Sequence, residues 1–186
     1  MPTEPVPATD TTRRPTRVVL LSVIAAIILA VDVATKVIAV AQLEGRPPVE
    51  LLGGLVYLQL VRNPGAAFSL ATGYTWVLTL IAIVVVVVIV RVARRLRSAG
   101  WATALGLVLG GALGNLGDRL FRAPGPLRGH VVDMVSVFAP DGRVWPVFNV
   151  ADSAIVCGGI LLVLLALTGR ELDGTRAGRE QGGADA

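Results

Sequence analysis

The chain has 186 residues, 54% of them hydrophobic and only 16% charged. A soluble domain of this length carries about 25% charged residues. That deficit, with a mean hydropathy of +0.71, excludes an ordinary water-soluble globule and predicts an integral membrane protein. The net charge of +4 gives no reason to expect a nucleic-acid partner, because the arginines sit beside apolar segments as membrane flanks do.

Residues 1–17 read as a polar N-terminal tail, cytoplasmic and disordered. The first apolar segment runs from about Val18 to Val40, near the roughly 20 residues a helix needs to span hydrocarbon. Arg13, Arg14 and Arg17 precede it, as in a signal peptide. The run is long, carries Asp32, Thr35 and Lys36, and lacks a small-residue cleavage site. It therefore reads as an uncleaved anchor. Asp32 and Lys36 are spaced i,i+4 and share a helix face near its outer end. Two readings fit them. One is a self-neutralising pair with Lys36 snorkelling to the interface, and the other is support of an outer scaffold or a substrate.

The connection over about 41–74 is not shapeless. Gly53-Gly54 signals a turn, and Leu55–Val61 is rich in strand formers. Asn63-Pro64-Gly65-Ala66-Ala67-Phe68-Ser69 then opens on a strong turn signal. The second apolar segment, about Thr75 to Val90, contains the Val84–Val88 run. Valines weaken a helix in water, but in lipid every backbone group must bond internally, so a helix is still expected. Arg91, Arg94, Arg95 and Arg97 follow in a compact loop, which places that loop and both tails in the cytoplasm. The connections 41–74 and 121–148 then face outward.

The third segment, about Trp101 to Leu120, carries Gly106, Gly110 and Gly114 at every fourth position. This stripe favours close helix packing, within the chain or between copies. Asn115, Asp118 and Arg119 lie on one face at its outer end, where Arg119 is expected to neutralise Asp118. His130–Phe138 reads as a strand, with Asp141-Gly142 as a hairpin turn before Arg143–Val147. A small outer β-structure is thus predicted on the membrane face. In the fourth segment, about Asn149 to Leu167, Asn149 and Asp152 are spaced i,i+3. Asp152 sits in the first turn, where the helix dipole favours a negative charge. Residues 169–186 read as a second polar tail, again cytoplasmic and disordered. The chain shows no internal repeat.

A carboxylate in or near a bilayer is costly and usually has a task there. Asp133 and Asp152 stand where the chain leaves and re-enters the apolar phase. If they met, close like charges would resist double ionisation, as acid/base chemistry requires. Each alone has a plain explanation: Asp152 as a helix-dipole residue, Asp133 as an exposed loop carboxylate. Other chemistries lack their parts. His130 is the only histidine, and no His-Glu-x-x-His pair exists. Ser69 and Ser153 lack a nucleophile-elbow context. Cys157 lies inside an apolar run as a small packing residue, and one cysteine excludes an internal disulfide framework. No metal and no cofactor is expected.

Taken in order, five motifs resemble those of the lipoprotein signal peptidase (signal peptidase II) family. They are Asp32-x-x-Thr35-Lys36, Asn63-Pro64-Gly65-Ala66-Ala67-Phe68, Gly114-Asn115-Leu116-Gly117-Asp118-Arg119, Val131-Val132-Asp133 and Phe148-Asn149-Val150-Ala151-Asp152-Ser153. The match spans about residues 18–168. The resemblance implies an all-α membrane domain of four transmembrane helices over 18–168, with a small extracytoplasmic β-cradle and a small outer helix. It implies an aspartic endopeptidase that cleaves prolipoproteins just before a diacylglyceryl-modified cysteine. By position, Asp133 and Asp152 match the family's catalytic dyad. Asn63, Asn115, Arg119 and Asn149 match residues lining its site, with Gly65, Asp32, Lys36 and Asp118 in support. The implied partners are diacylglyceryl prolipoproteins and membrane lipid, and no oligomer is required. In two places the chain departs from the family: Met134 follows the first Asp in place of a bulkier aromatic, and the 121–128 link is longer. A different class, a small proton- or cation-coupled transporter using the same carboxylates, is the alternative. Against it, the polar residues gather near one membrane face.

Overall fold

Apolar runs that cannot leave backbone groups unpaired in lipid become helices, and four do so here. A computed structural model describes residues 16–65 and 75–176. The order is α1 (Val18–Leu43), β1 (Val49–Leu51), β2 (Val56–Asn63), α2 (Thr75–Ala93), α3 (Ala99–Phe121), β3 (Val131–Val137) and α4 (Val150–Leu167). All four helices are long and apolar enough to cross a membrane. The chain is a multi-pass membrane protein. At about 1.5 Å per residue, the 18 residues of α4 match the roughly 30 Å of hydrocarbon. The 26 residues of α1 overshoot it. The surplus turns of α1 buttress the sheet, with Ala39 packed on Val132 and Met134, and Leu43 and Leu60 beside them.

α3 is the hub and packs against α1, α2 and α4. Small residues make this possible. A methyl group added at Gly110 would lie 2.7 Å from Ile28 Cβ and 2.8 Å from the Ala25 carbonyl oxygen. One at Gly106 would lie 3.0 Å from Ile24 Cβ. The glycine stripe is therefore spent inside the chain, on the α1–α3 contact. A second close approach joins α3 to α4: Gly158 faces Ala104 and Val108, and Gly111 faces Ala151 and Ile155. Gly110→Leu is expected to destabilise the fold by at least about 1–3 kcal/mol, the usual cost of overpacking. A thermal midpoint in detergent equal to wild type would contradict this packing.

The sheet is antiparallel, in the order β1-β2-β3. β2 and β3 fall on the two expected strands. β1 is too short to show as a run. Val61 pairs with Asp133 and Asn63 with Val131, after a register shift between Leu58 and Val61. Asp141 and Gly142 both take positive φ, at 59° and 68°. The expected hairpin is nonetheless incomplete: Arg143–Val147 do not return as a strand, and only Phe148 bridges Val135. Pro146 has no N–H for a ladder, and Trp145, Pro146 and Val147 line a cavity instead. No outer α-helix stands among the described residues, and Ala66–Ser69 of the Asn-Pro-Gly motif lie outside them.

Residues 169–176, expected in the disordered C-terminal tail, are instead held against the bundle. The Leu172 carbonyl accepts from Arg97 N at 2.9 Å and Ser98 N at 3.0 Å. Trp101 Nε1 donates to the Arg170 carbonyl at 2.9 Å. Residues 169–176 thus clasp the α2–α3 turn, while 1–15 and 177–186 lie outside the described residues. Cys157, expected inside the packing, is exposed on α4.

Candidate active site

The start of α4 organises the site. Asn149 is its N-cap, and Oδ1 accepts from Asp152 N at 2.9 Å. Asp152 Oδ2 returns the bond by accepting from Asn149 N at 3.2 Å. This reciprocal cap satisfies two orphan donors of the helix, and it also fixes the Asp152 carboxylate. The free oxygen, Oδ1, accepts from Asn115 Nδ2 at 2.8 Å. The side-chain nitrogen of Asn149 crosses to the sheet and donates to Asp133 Oδ1 at 2.7 Å. Asp133 Oδ2 accepts from Asn63 Nδ2 at 2.9 Å. One residue thereby links the two acids.

Asn63 is itself aimed. Its Oδ1 accepts from Gly65 N at 2.9 Å, which leaves the amide nitrogen for Asp133. Thr75 Oγ1, at the start of α2, donates to the Pro64 carbonyl and pins the same turn. Arg119 is buried and reaches the Gly65 and Asn115 carbonyls only at 3.4 Å. Its Nε has no hydrogen-bond partner among the described residues.

Asp133 and Asp152 line one cavity of about 540 Å³, together with Asn63, Gly65, Asn115 and Arg119. Much of the remaining wall is apolar, from Trp145, Val147 and Phe148 to Ile155 and Val156. The Asp133 carboxyl is pushed up to about 7. Burial is the main cause and the Asp152 charge the second, against the lowering effects of the Asn63 and Asn149 bonds and of Lys36.

Behind the cavity lies a buried ionic cluster. Lys36 does not snorkel: it is 1% exposed. Its ammonium meets Asp32 Oδ2 at 2.7 Å, Asp118 Oδ2 at 2.9 Å and Asn115 Oδ1 at 3.0 Å. Asp32 Oδ1 accepts from Ala151 N at 2.9 Å, so α1 holds the first turn of α4. The expected Arg119–Asp118 pairing does not form. Asp118 pairs with Lys36 and Arg122, and also accepts from Val132 N at 3.1 Å. Arg119 turns to the cavity instead.

Sequence reasoning missed Arg122, although it stands i,i+4 from Asp118. It also missed Thr75 and Thr79, polar residues at the head of an apolar run. Thr79 Oγ1 donates to the Leu127 carbonyl at 2.9 Å. Gln59 was passed over too: it is buried and accepts from Asp141 N at 3.0 Å, holding the turn before the cavity rim.

Two acids sharing one cavity, held by amide groups beside a guanidinium, at the end of four membrane-spanning helices, define an aspartic peptidase of the membrane. A model of the signal peptidase (SPase) II family matches residues 24–168. The chain is 61% identical over 165 residues to the lipoprotein signal peptidase of Rhodococcus jostii, covering 89% of this chain and 81% of that protein. It is 57% identical over 174 residues to that of Mycobacterium avium, covering 93% of each. A bacterial membrane enzyme solved by the in meso method at 2.3 Å superposes with a TM-score of 0.70 at 26% identity, covering 84% of this chain and 92% of that one. The chain belongs to the signal peptidase II family. The transporter alternative finds no support in these likenesses.

Proposed function

We propose that this peptidase removes the signal peptide from diacylglyceryl-modified prolipoproteins by cutting just before the lipidated cysteine, with Asp133 and Asp152 as its acid/base pair. The observation that carries the reading is the bridge of Asn149 between two carboxyls on one cavity wall, its side-chain nitrogen on Asp133 and its backbone N–H on Asp152.

Asp133 is the more buried acid and holds the shared proton at working pH. Asp152 is half-buried on the same cavity and acts as the base. It takes a proton from the attacking water while Asp133 supports the scissile carbonyl as negative charge develops on its oxygen. The roles then exchange, and the leaving nitrogen is protonated. The pair titrates as a unit. Arg119 and Asn63 hold peptide carbonyls near the dyad. The apolar wall at Ile155 and Val156 faces the lipid-bearing part of the substrate. Every group used comes from one chain, so no oligomer is needed.

Water must reach the dyad, which supports an extracytoplasmic site. The arginines at 91, 94, 95 and 97 support a cytoplasmic α2–α3 turn, and both tails then lie in the cytoplasm.

The test is purified protein with a lipidated precursor and its unlipidated counterpart, followed by mass mapping of products across pH. Only the lipidated precursor is cut efficiently, at the bond preceding the modified cysteine. A group whose pKa is raised keeps its proton until the pH passes the raised value. Turnover therefore falls as pH rises through about 7. Equal cleavage of both precursors, or a rate unchanged up to pH about 9, two units above that value, would count against the proposal.

A further inference from the structure

Lys36 touches neither the cavity nor the two acids, yet all three of its ammonium donors are committed. Two go to Asp32 and Asp118. The third goes to a neutral group, Asn115 Oδ1. A side-chain amide has an acceptor end and a donor end, and rotating it exchanges them. Here the acceptor end is held from two sides, by Lys36 Nζ at 3.0 Å and by Asn149 Nδ2 at 3.2 Å. The donor end must then face Asp152 Oδ1, at 2.8 Å. A reversed amide would set an oxygen against the Asp152 carboxylate, which only a protonated Asp152 tolerates.

We propose that Lys36 is a positioning residue for Asp152: by holding Asn115 Oδ1 it keeps the Asn115 N–H groups on the Asp152 carboxyl and so fixes the orientation of that side chain. This rests on the reading of Asp133 and Asp152 as the dyad.

The surrounding charges are consistent with it. α1 supplies Asp32 and Lys36. α3 supplies Asp118 and Arg119, with Arg122 just past its end. β3 brings Asp133 and α4 brings Asp152, while β2 contributes only the neutral Asn63. Three cations thus stand against two supporting carboxylates, and the set is neutral when the dyad carries a single negative charge. Removing Lys36 breaks this balance and leaves the Asn115 oxygen to Asn149 Nδ2, which already donates to Asp133 and the Val132 carbonyl. An uncompensated buried charge is strongly unfavourable.

The experiment compares the pH dependence of kcat and KM for wild type, Lys36→Met and the double variant Asp32→Asn/Lys36→Met, on a lipidated precursor in detergent. The double variant restores the charge balance. The amide introduced at position 32 keeps an oxygen to accept from Ala151 N, but the ammonium donor to Asn115 is gone. In both variants kcat is expected to fall by up to about 10²-fold, the effect of a misplaced catalytic group, with little change in KM. The acid limb should move up by about one pH unit or more, since ionised Asp152 loses its donor. Three results overturn the proposal: a folded Lys36→Met protein with the wild-type pH profile; a double variant that regains that profile, which would leave charge alone as the cause; or loss of folding in both variants, which would make Lys36 purely structural. Wild type that cuts no lipidated precursor, or an Asp152→Asn protein that still does, would instead remove the dyad reading beneath it.

Discussion

Asp133→Asn and Asp152→Asn are each expected to lower turnover of a lipidated precursor by at least about 10³-fold, within the range for a positioned acid/base group. The substitutions are nearly isosteric, so the loss should not come from misfolding. An amide at position 152 still accepts from Asn149 N through its oxygen. The change at position 133 goes further, because it removes a buried acid. The raised pKa of Asp133 means that ionising it costs folding free energy. That cost is absent below the ordinary carboxylate value of 3.8, grows as pH climbs from there to about 7, and is fully present above it. The Asp133→Asn protein should therefore match or exceed wild type in thermal midpoint at pH about 8, where Asp133 would otherwise ionise. An inactive protein that is at least as stable marks a functional carboxyl. Retained turnover in either purified variant would end the dyad assignment.

Asn149→Ala should damage stability and activity together. It deletes the N-cap of α4, worth about 1 kcal/mol, and the donors to Asp133 and Asn115. We expect a clear drop in thermal midpoint and a loss of roughly 10²-fold or more in kcat. Asn149→Ser separates the two effects. Serine caps a helix about as well as asparagine, but its hydroxyl is too short to span to β3. Its midpoint should recover while its turnover stays low. A serine variant with full activity would show that the bridge is dispensable.

The helices were legible because a lipid-facing run has only one way to satisfy its backbone. The meeting of Asp133 and Asp152 on one cavity was legible for a similar reason: in a chain this apolar, few acids stand near the membrane boundary, and an acid there is costly. What stayed hidden depended on rotation and depth. Spacing put Asp32 and Lys36 on one face, but it did not reveal whether that face met lipid, water or α3. Spacing also offered Asp118 two cationic neighbours. The seating of α3 turned Arg119 into the cavity and left Asp118 to Arg122 and Lys36. The 106–110–114 stripe was visible as a regular period. Gly111 and Gly158 were not, because their partnership crosses two helices and exists only once α3 and α4 are packed. The Asp141-Gly142 turn chemistry was read correctly, but the strand beyond it was lost to Pro146 and to the cavity rim.

The bond from Ala151 N to Asp32 joins positions 119 residues apart. Together with the Asn149 bridge to Asp133, it means that α4 brings both Asp152 and a second hold on Asp133. Before α4 packs, Asp133 has the Asn63 amide to orient it but neither the Asn149 bridge nor a second carboxyl beside it. On the proposed dyad, hydrolytic competence therefore waits for the fourth span to pack, which spares the membrane from a half-built protease.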